Sequence, residues 1–229
     1  MDQELLKKKI ENGRQFRSYD MSKLEFRAKE NSTSDGSMTV EGYACTFNEP
    51  YDLYTYRDWN GTDVIIKEQV DPHAFDECDM SDVIMQYNHE GRVYARTRNK
   101  TLTLAADEHG LKVSADLSKA ADGAGLYGDI KNGLVDRMSF GFTVADDSIT
   151  QTNDQQNHVT TVLRTITKVG KLYDVSAVSI PANNGTDISA RSFVDGVIDG
   201  LKTERSRAEK RQKDVKRLAL KIKVLEMEK

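Results

Sequence analysis

The stretch VDRMSFGFTV at residues 135–144 does most to decide the fold. Read as a strand, it places Met138, Phe140 and Phe142 on one face, and Ser139 and Gly141 on the other. The apolar face predicts a buried strand. The small polar face fits either a half-buried strand or one that presents a hydroxyl to a cleft, with a glycine beside it for clearance.

Short alternating runs on both sides of this stretch predict a body that is mostly antiparallel β. TLTLAADEHGLKVSADL at 101–117 is typical of a hairpin, and VTTVLRTITKVGKLYDVSAV at 159–178 is interpreted as two strands that turn at Gly170. KAADGAGLYGDIKNGLVDRM at 119–138 has apolar residues at helical spacing and predicts the one internal helix. The expected class is α+β, mainly β and barrel-like.

Composition divides the 229 residues into a body and two appendages. Residues 1–21 are expected to form an arm with little core, residues 22–200 the main domain, and residues 201–229 a basic helical tail. The chain has a net charge of −4, but the tail alone carries +6, so the rest carries −10. An acidic body argues against direct binding to nucleic acid, because phosphates would repel it.

Several function classes lose support from composition. No apolar run is long enough to cross a bilayer, and the N-terminus lacks the apolar core of a signal peptide, so a cytoplasmic protein is expected. Cys45 and Cys78 are interpreted as reduced structural thiols. The four histidines have no metal-ligand spacing, and no phosphate loop or dinucleotide fingerprint is present, so neither metal nor cofactor is expected.

One set of residues could carry nucleophilic catalysis. His89 ends a predicted strand, Ser139 lies on the polar face described above, and Asp174 lies inside a predicted strand, where aspartate is disfavoured unless it serves a partner. A serine hydroxyl is a weak nucleophile until a base takes its proton, and the base works best when a third group orients it. Spacing alone leaves open whether the three meet, because such sites are defined by geometry.

Taken together, the motifs resemble the prohead (capsid maturation) serine proteases of tailed bacteriophages. The resemblance covers roughly residues 23–191. It rests on six blocks in order: VEGYACTFNEP (40–50), VDPHAF (70–75), VIMQYNHE (83–90), DEHGLKVSADL (107–117), MSFGF (138–142) and LYDVSAVSIPAN (172–183). Because this family resembles herpesvirus assemblin, the resemblance implies a closed antiparallel β-barrel with surrounding helices, to which the C-terminal tail adds an extended helix.

The resemblance implies roles for single residues. His89 of the Asn-His pair would be the general base and Ser139 the nucleophile, with Asp174 at the position where the family more often has Glu. Assemblin-type enzymes use a second histidine as the third member, so His158 and His109 are rivals. The family commonly has Gly in place of His73, a loop variation to which we give no catalytic meaning.

The oxyanion of acyl transfer needs donors. Arg164 is a candidate by analogy with the arginine of assemblin-type sites, and the backbone at Phe140 and Gly141 supplies further candidates. The implied function is a serine endopeptidase that removes scaffolding segments of the major capsid protein, and pieces of itself, inside the assembling prohead in the bacterial cytoplasm. The implied partners are the capsid protein with its scaffolding segment, the portal and other copies of the chain. The alternative is a non-catalytic assembly protein that retains the protease fold.

Overall fold

The computed structural model describes residues 15–18, 27–28, 38–179 and 188–227, and these are mainly β. Their strands are β1 (Gln15–Ser18), β2 (Arg27–Ala28), β3 (Thr39–Thr46), β4 (Tyr51–Arg57), β5 (Asp63–Val70), β6 (Ile84–Tyr87), β7 (Glu90–Arg96), β8 (Leu102–Ala106), β9 (Gly110–Asp116), β10 (Arg137–Asp154) and β11 (Val159–Val178). A 3-10 turn (Leu117–Lys119) and helix α1 (Gly123–Lys131) follow β9, and helix α2 (Ile188–Met227) follows β11. The expected hairpin is confirmed as β8 and β9, and the internal helix as α1.

The larger sheet is built on the long antiparallel pair of β10 and β11. β1 pairs with the other side of β10. On the far side, β11 runs parallel to β5 in its first half and parallel to β6 in its second half. β4 extends the sheet beyond β5, and β7 extends it beyond β6. The sheet is therefore mixed, with seven strands.

The smaller sheet is antiparallel, in the order β2, β3, β9 and β8. Its side chains Val40 and Val113 share one core with Phe140 and Val175 of the larger sheet. Packing two sheets over a common core buries one face of each. Ser139 lies between the core residues Met138 and Phe140 and has no exposed area.

The expected closed antiparallel barrel is wrong. Among the described residues, β1 and β4 end the main path of the larger sheet and do not pair with each other, so the sheet does not close. β11 also takes two parallel neighbours, which an antiparallel barrel would not contain. The alternation of side chains shows which residues face the core but not which strand is the neighbour or in which direction it runs.

The expected turn at Gly170 is also wrong, because β11 continues through it as one strand. The β10–β11 register shifts close by, between Thr143 and Val144. A Cβ at Gly170 would lie 3.3 Å from Thr143 Oγ1. The glycine thus permits close approach of two strands at an irregularity, one of the established uses of glycine in a strand.

The tail helix is confirmed but begins earlier than predicted, since α2 starts at Ile188 inside the expected main domain. Val194, Val197 and Leu201 are buried in a second apolar cluster with side chains of the larger sheet, namely Leu53, Val64, Ile66 and Val162. Beyond Leu201 the described side chains are mostly exposed. Among the described side chains of α2, those between Val194 and Leu201 anchor the helix in this cluster.

We predict that Val197→Ala lowers the free energy of unfolding by about 1–2 kcal/mol, because it removes two buried methyl groups and leaves a cavity. Val215→Ala is the matched control on the same helix, and its side chain is 66% exposed. It should change stability by less than about 0.5 kcal/mol. Urea unfolding followed by circular dichroism measures both, and equal effects would contradict the anchoring of α2.

Candidate active site

Ser139 is fully buried in β10, opposite Ser176 of β11. Phe140 and Phe142 also have no exposed area, and their rings stack with centroids 4.4 Å apart. Both faces of this strand are therefore buried, not only the apolar one. The aromatic pair fixes the strand in the core, so the hydroxyl of Ser139 has a defined position.

His89 lies in the tight turn between β6 and β7, where Tyr87 pairs with Glu90. Asn88 and His89 both have positive φ, 51° and 60°. Positive φ at both central residues is typical of a type I′ turn, whose twist matches that of the two strands of a hairpin. Asparagine and histidine adopt positive φ more readily than most residues. The Asn-His pair is therefore also suited to forming this turn.

Asn88 fastens this turn to the end of β11. Its backbone N–H donates to the carbonyl of Ala177 at 2.9 Å. Its side-chain Oδ1 accepts from the backbone N–H of Ser179 at 3.1 Å. These two hydrogen bonds fix the position of the neighbouring His89 relative to the end of β11.

The three predicted residues meet. His89 Nε2 lies 2.6 Å from Ser139 Oγ, and His89 Nδ1 lies 2.5 Å from Asp174 Oδ1. Asp174 is completely buried, and its Oδ1 also accepts from Ser176 Oγ at 3.0 Å. Because the His89 side chain is 17% exposed while Ser139 and Asp174 are not exposed at all, solvent reaches the group on the histidine side.

The rival histidines lie elsewhere. His158 is exposed in the turn between β10 and β11, with φ of 53°. His109 is 57% exposed, and its ring stacks against Tyr43 with centroids 6.3 Å apart. The structure brings an aspartate, not a second histidine, to the Nδ1 side of His89.

Arg164, the predicted oxyanion cation, is buried and binds two carboxylates. Its Nε lies 2.7 Å from Asp147 Oδ2 and its Nη1 lies 2.8 Å from Glu68 Oε2. The backbone candidates Phe140 and Gly141 lie in β10 between β1 and β11. Arg164 thus occupies a buried ion cluster, whereas Phe140 and Gly141 directly follow Ser139.

Arg17 and Glu68 were not predicted from the sequence. Residues 1–21 were expected to form an arm with little core, yet β1 pairs with β10, and Gln15 and Arg17 are buried. Arg17 Nε lies 2.5 Å from Glu68 Oε1, and Arg17 Nη2 donates to Gln15 Oε1 at 2.8 Å. The contact spans 51 positions, so no local pattern in the sequence could have revealed it.

The Arg17 backbone also touches the site, because Ser139 Oγ donates to the Arg17 carbonyl oxygen at 2.9 Å. A single hydroxyl has one proton. It can donate either to this carbonyl or to His89 Nε2 at any one time. Ser139 Oγ is therefore held between a base and a peptide carbonyl.

Glu68 is the centre of the ion cluster. Burial alone would raise the pKa of its carboxyl group, but the charges of Arg17 and Arg164, with hydrogen bonds from Arg17 and the Tyr51 hydroxyl, outweigh burial and lower the pKa to about 2. The carboxylate therefore stays ionised although it has no exposed area.

Other reactive groups in the described part of the chain offer no competing site. Burial raises the pKa of the Cys45 thiol to about 12 and that of Cys78 to about 11, so neither is a thiolate near neutral pH. No three His, Cys, Asp or Glu side chains among the described residues come together as metal ligands would. Within the same residues, no helix has the length and apolar character to cross a membrane.

Comparison with known proteins gives one consistent family. Residues 22–196 match the family described as caudovirus prohead serine protease. The chain is 30% identical over 185 residues to the prohead protease of Enterobacteria phage HK97, which covers 79% of this chain and 69% of that protein. It is 22% identical over 169 residues to the prohead protease of Escherichia phage T5, covering 73% of this chain and 69% of that protein. No solved structure matches.

We predict that acid weakens the fold through Glu68. A carboxyl whose pKa is lowered on folding from 4.5 to about 2 stabilises the folded state above pH 4.5, and this contribution is lost as the pH falls toward 2. It amounts to about 3 kcal/mol at neutral pH. Glu68→Gln should be less stable at pH 7 and should lose less further stability between pH 5 and 3 than the wild type does.

Denaturant unfolding at pH 7, 5, 4 and 3 measures this dependence, with every protein carrying Ser139→Ala so that the chain keeps Arg17. Glu49→Gln is the matched control, because it makes the same chemical change at an exposed position and should follow the wild type. If the free energy of unfolding falls equally for Glu68→Gln and the wild type as the pH is lowered, Glu68 is not the group that makes the fold sensitive to acid.

Proposed function

We propose that this chain, which belongs to the caudovirus prohead serine protease family, is a serine endopeptidase with Ser139 as nucleophile, His89 as general base and Asp174 as the residue that orients the base. One observation carries the proposal. The two ring nitrogens of His89 lie 2.6 Å from Ser139 Oγ and 2.5 Å from Asp174 Oδ1, so a single imidazole joins the hydroxyl to the carboxylate.

This geometry can carry out acyl transfer. Neutral His89 accepts the Ser139 proton on Nε2 as Oγ attacks a peptide carbonyl carbon. Asp174 accepts a hydrogen bond from Nδ1–H, which fixes the tautomer and stabilises the imidazolium. The imidazolium then gives its proton to the leaving amine. Water, activated by the same nitrogen, hydrolyses the ester and restores Ser139.

Asp174 suits the orienting role because of its surroundings. It has no exposed area, and in the low dielectric of a buried site its attraction for the imidazolium is stronger than it would be in water. The Ser176 hydroxyl supports the same carboxylate oxygen that faces His89. The shorter aspartate side chain reaches the histidine because the β6–β7 turn is fastened to the end of β11.

An oxyanion role for the backbone N–H groups at Phe140 and Gly141 stays a prediction. Backbone donors next to the nucleophile are the usual arrangement, but consecutive N–H groups of the paired strand β10 point to opposite neighbours, β1 and β11. The ion pairs of Arg164 with Glu68 and Asp147 favour a role in the buried cluster. An oxyanion role for Arg164 stays a prediction.

The proposed substrate follows from the relatives, which are named prohead proteases of bacteriophages. We propose that the enzyme acts in capsid maturation inside the assembling prohead, in the host cytoplasm, and cuts scaffolding segments of the major capsid protein and its own chain. Its partners would then be the capsid protein with that segment, the portal and other copies of itself. A non-catalytic assembly protein would have no need for the Ser139–His89–Asp174 contacts, which favour the enzyme.

We predict that Ser139→Ala and His89→Ala each reduce cleavage of co-expressed capsid protein by about 10⁶-fold, because nucleophile and base act as one unit. Asp174→Asn should reduce it by about 10⁴-fold, since the amide favours the wrong tautomer of His89. Gel analysis of the capsid protein and reaction with a serine-directed fluorophosphonate measure the effects.

His158→Ala is the control, because the exposed His158 lies in a different turn, and it should cleave like the wild type. Cleavage by folded Ser139→Ala at the wild-type rate would exclude Ser139 as nucleophile. If Asp174→Asn is fully active and His158→Ala is inactive, the third member is His158. Absence of any cleavage or fluorophosphonate reaction in the wild type would favour the assembly protein.

A further inference from the structure

β1 lies on the catalytic strand in the way that a bound peptide lies on a sheet. Its four residues pair antiparallel with β10, with Arg17 opposite Phe140 and Ser18 opposite Ser139. Adding an extended segment to the side of a strand is a general mode of peptide recognition, in which main-chain bonds give affinity and side-chain pockets give specificity. The N-terminal segment thus occupies the place next to the nucleophile.

The Arg17 carbonyl group lies next to Ser139 Oγ. Its oxygen lies 2.9 Å from Ser139 Oγ, and the same Oγ lies 2.6 Å from His89 Nε2. Since a C=O bond is about 1.2 Å long, the carbonyl carbon is at most about 4.1 Å from Oγ. Reacting atoms in a near-attack arrangement are about 3–3.5 Å apart. The carbonyl oxygen now faces Oγ, so attack requires the Arg17–Ser18 peptide to turn until the carbon faces Oγ at that distance.

The Arg17 side chain lies in a buried cluster of charged groups. The guanidinium is 1% exposed, contacts both carboxylate oxygens of Glu68 and lies 5.9 Å from the centre of the Phe142 ring. When Arg17 leaves, the cluster that it joined retains the carboxylates of Glu68 and Asp147 and the guanidinium of Arg164. These three carry a net charge of −1, so the vacated pocket favours another cation.

We propose that β1 is an internal substrate: Ser139 cuts the Arg17–Ser18 bond of its own chain, and Glu68 selects a basic side chain on the amino side of the cut bond. The inference rests on the catalytic roles proposed above. Until the bond is cut, β1 occupies the edge of β10 next to Ser139. Afterwards the same edge, called here the substrate groove, accepts basic segments of other chains.

The reaction is ordinary peptide hydrolysis. Ser139 Oγ forms a bond to the Arg17 carbonyl carbon and its proton passes to His89. The Arg17–Ser18 C–N bond breaks, and the proton moves from His89 to the Ser18 nitrogen, which becomes the new N-terminus. Water then cleaves the Arg17 ester, which releases residues 1–17 with a free carboxylate and regenerates the Ser139 hydroxyl.

The first test follows the full chain by intact-mass spectrometry and N-terminal sequencing. Wild-type protein should lose the mass of residues 1–17 and begin at Ser18, whereas Ser139→Ala should keep its full length. Cuts only at other bonds, or an uncut wild type, would overturn the inference.

The second test changes the side chain in the pocket. Arg17→Lys keeps the charge and should retain the cut, whereas Arg17→Glu places a second carboxylate against Glu68 and should lose it. Arg14→Glu is the matched control, because it makes the same charge change three residues earlier, and it should be cut between Arg17 and Ser18 like the wild type. A cut at this bond in folded Arg17→Glu would overturn the role of Glu68.

The third test does not depend on folding of the Arg17 variants. Fluorogenic peptides with the sequence of residues 13–22, carrying Arg, Lys, Gln or Glu at position 17, are given to wild-type enzyme that has lost residues 1–17. We expect kcat/KM for the Arg peptide to exceed that for the Glu peptide by at least about 100-fold, because the Glu peptide would bury an unpaired charge. Equal turnover of all four would overturn the selectivity.

Glu68→Gln should reduce the ratio of kcat/KM for the Arg and Gln peptides by at least about 10-fold. This ratio is measured within one enzyme, so it does not depend on how much of the variant is folded. An unchanged ratio would exclude Glu68 as the selecting group.

The outcomes separate this inference from the proposed function. If capsid protein is cut by the wild type but not by Ser139→Ala, and the Arg17–Ser18 bond stays intact, the function stands and β1 is a structural strand. If neither capsid protein nor the chain itself is cut, the proposed function fails.

Discussion

The pairing of β10 with β11 is the constraint on which the site depends. Ser139 pairs with Ser176, and Gly141 pairs with Asp174, so one register sets the positions of Ser139 and Asp174, the proposed nucleophile and orienting carboxylate. A shift of the register by one residue would turn one of the two side chains to the opposite face. The buried rings of Phe140 and Phe142 lie on the same face of β10 and resist such a shift, because both rings would have to leave the core.

The candidate catalytic residues could be named from the sequence because each has a local signal: a small polar residue between aromatics, an Asn-His pair in a tight turn and an aspartate inside a strand. Their roles were implied by the family resemblance. The architecture was not within reach. Alternation predicted strands but not their neighbours, so two open sheets with parallel pairs at β11 were taken for a closed barrel. Gly170 was misplaced for a similar reason, because a glycine in a strand pattern fits a turn as well as a close contact.

The buried cluster around Glu68 shows most clearly where a sequence falls short. Arg17, Glu68 and Arg164 come from β1, β5 and β11, and each is unremarkable in its own segment. Burying charged groups costs several kcal/mol per ion, which only close pairing can offset. Once Glu68 is in the interior, the two arginines are what keep it ionised. The cluster is therefore a property of the whole fold and not of any motif.

The same cluster ties specificity to stability. A pocket that needs a cation to balance two carboxylates is stable with Arg17 inside it and less stable when the pocket is empty. The intact chain therefore has a physical reason to keep β1 in the groove, and a cut chain has a reason to bind a basic segment from elsewhere. A purely structural ion pair would need Arg17 near Glu68 but would not need the Arg17 carbonyl beside Ser139. The hydrogen bond from Ser139 Oγ to that carbonyl is the observation that favours a substrate strand over an ordinary strand of the sheet.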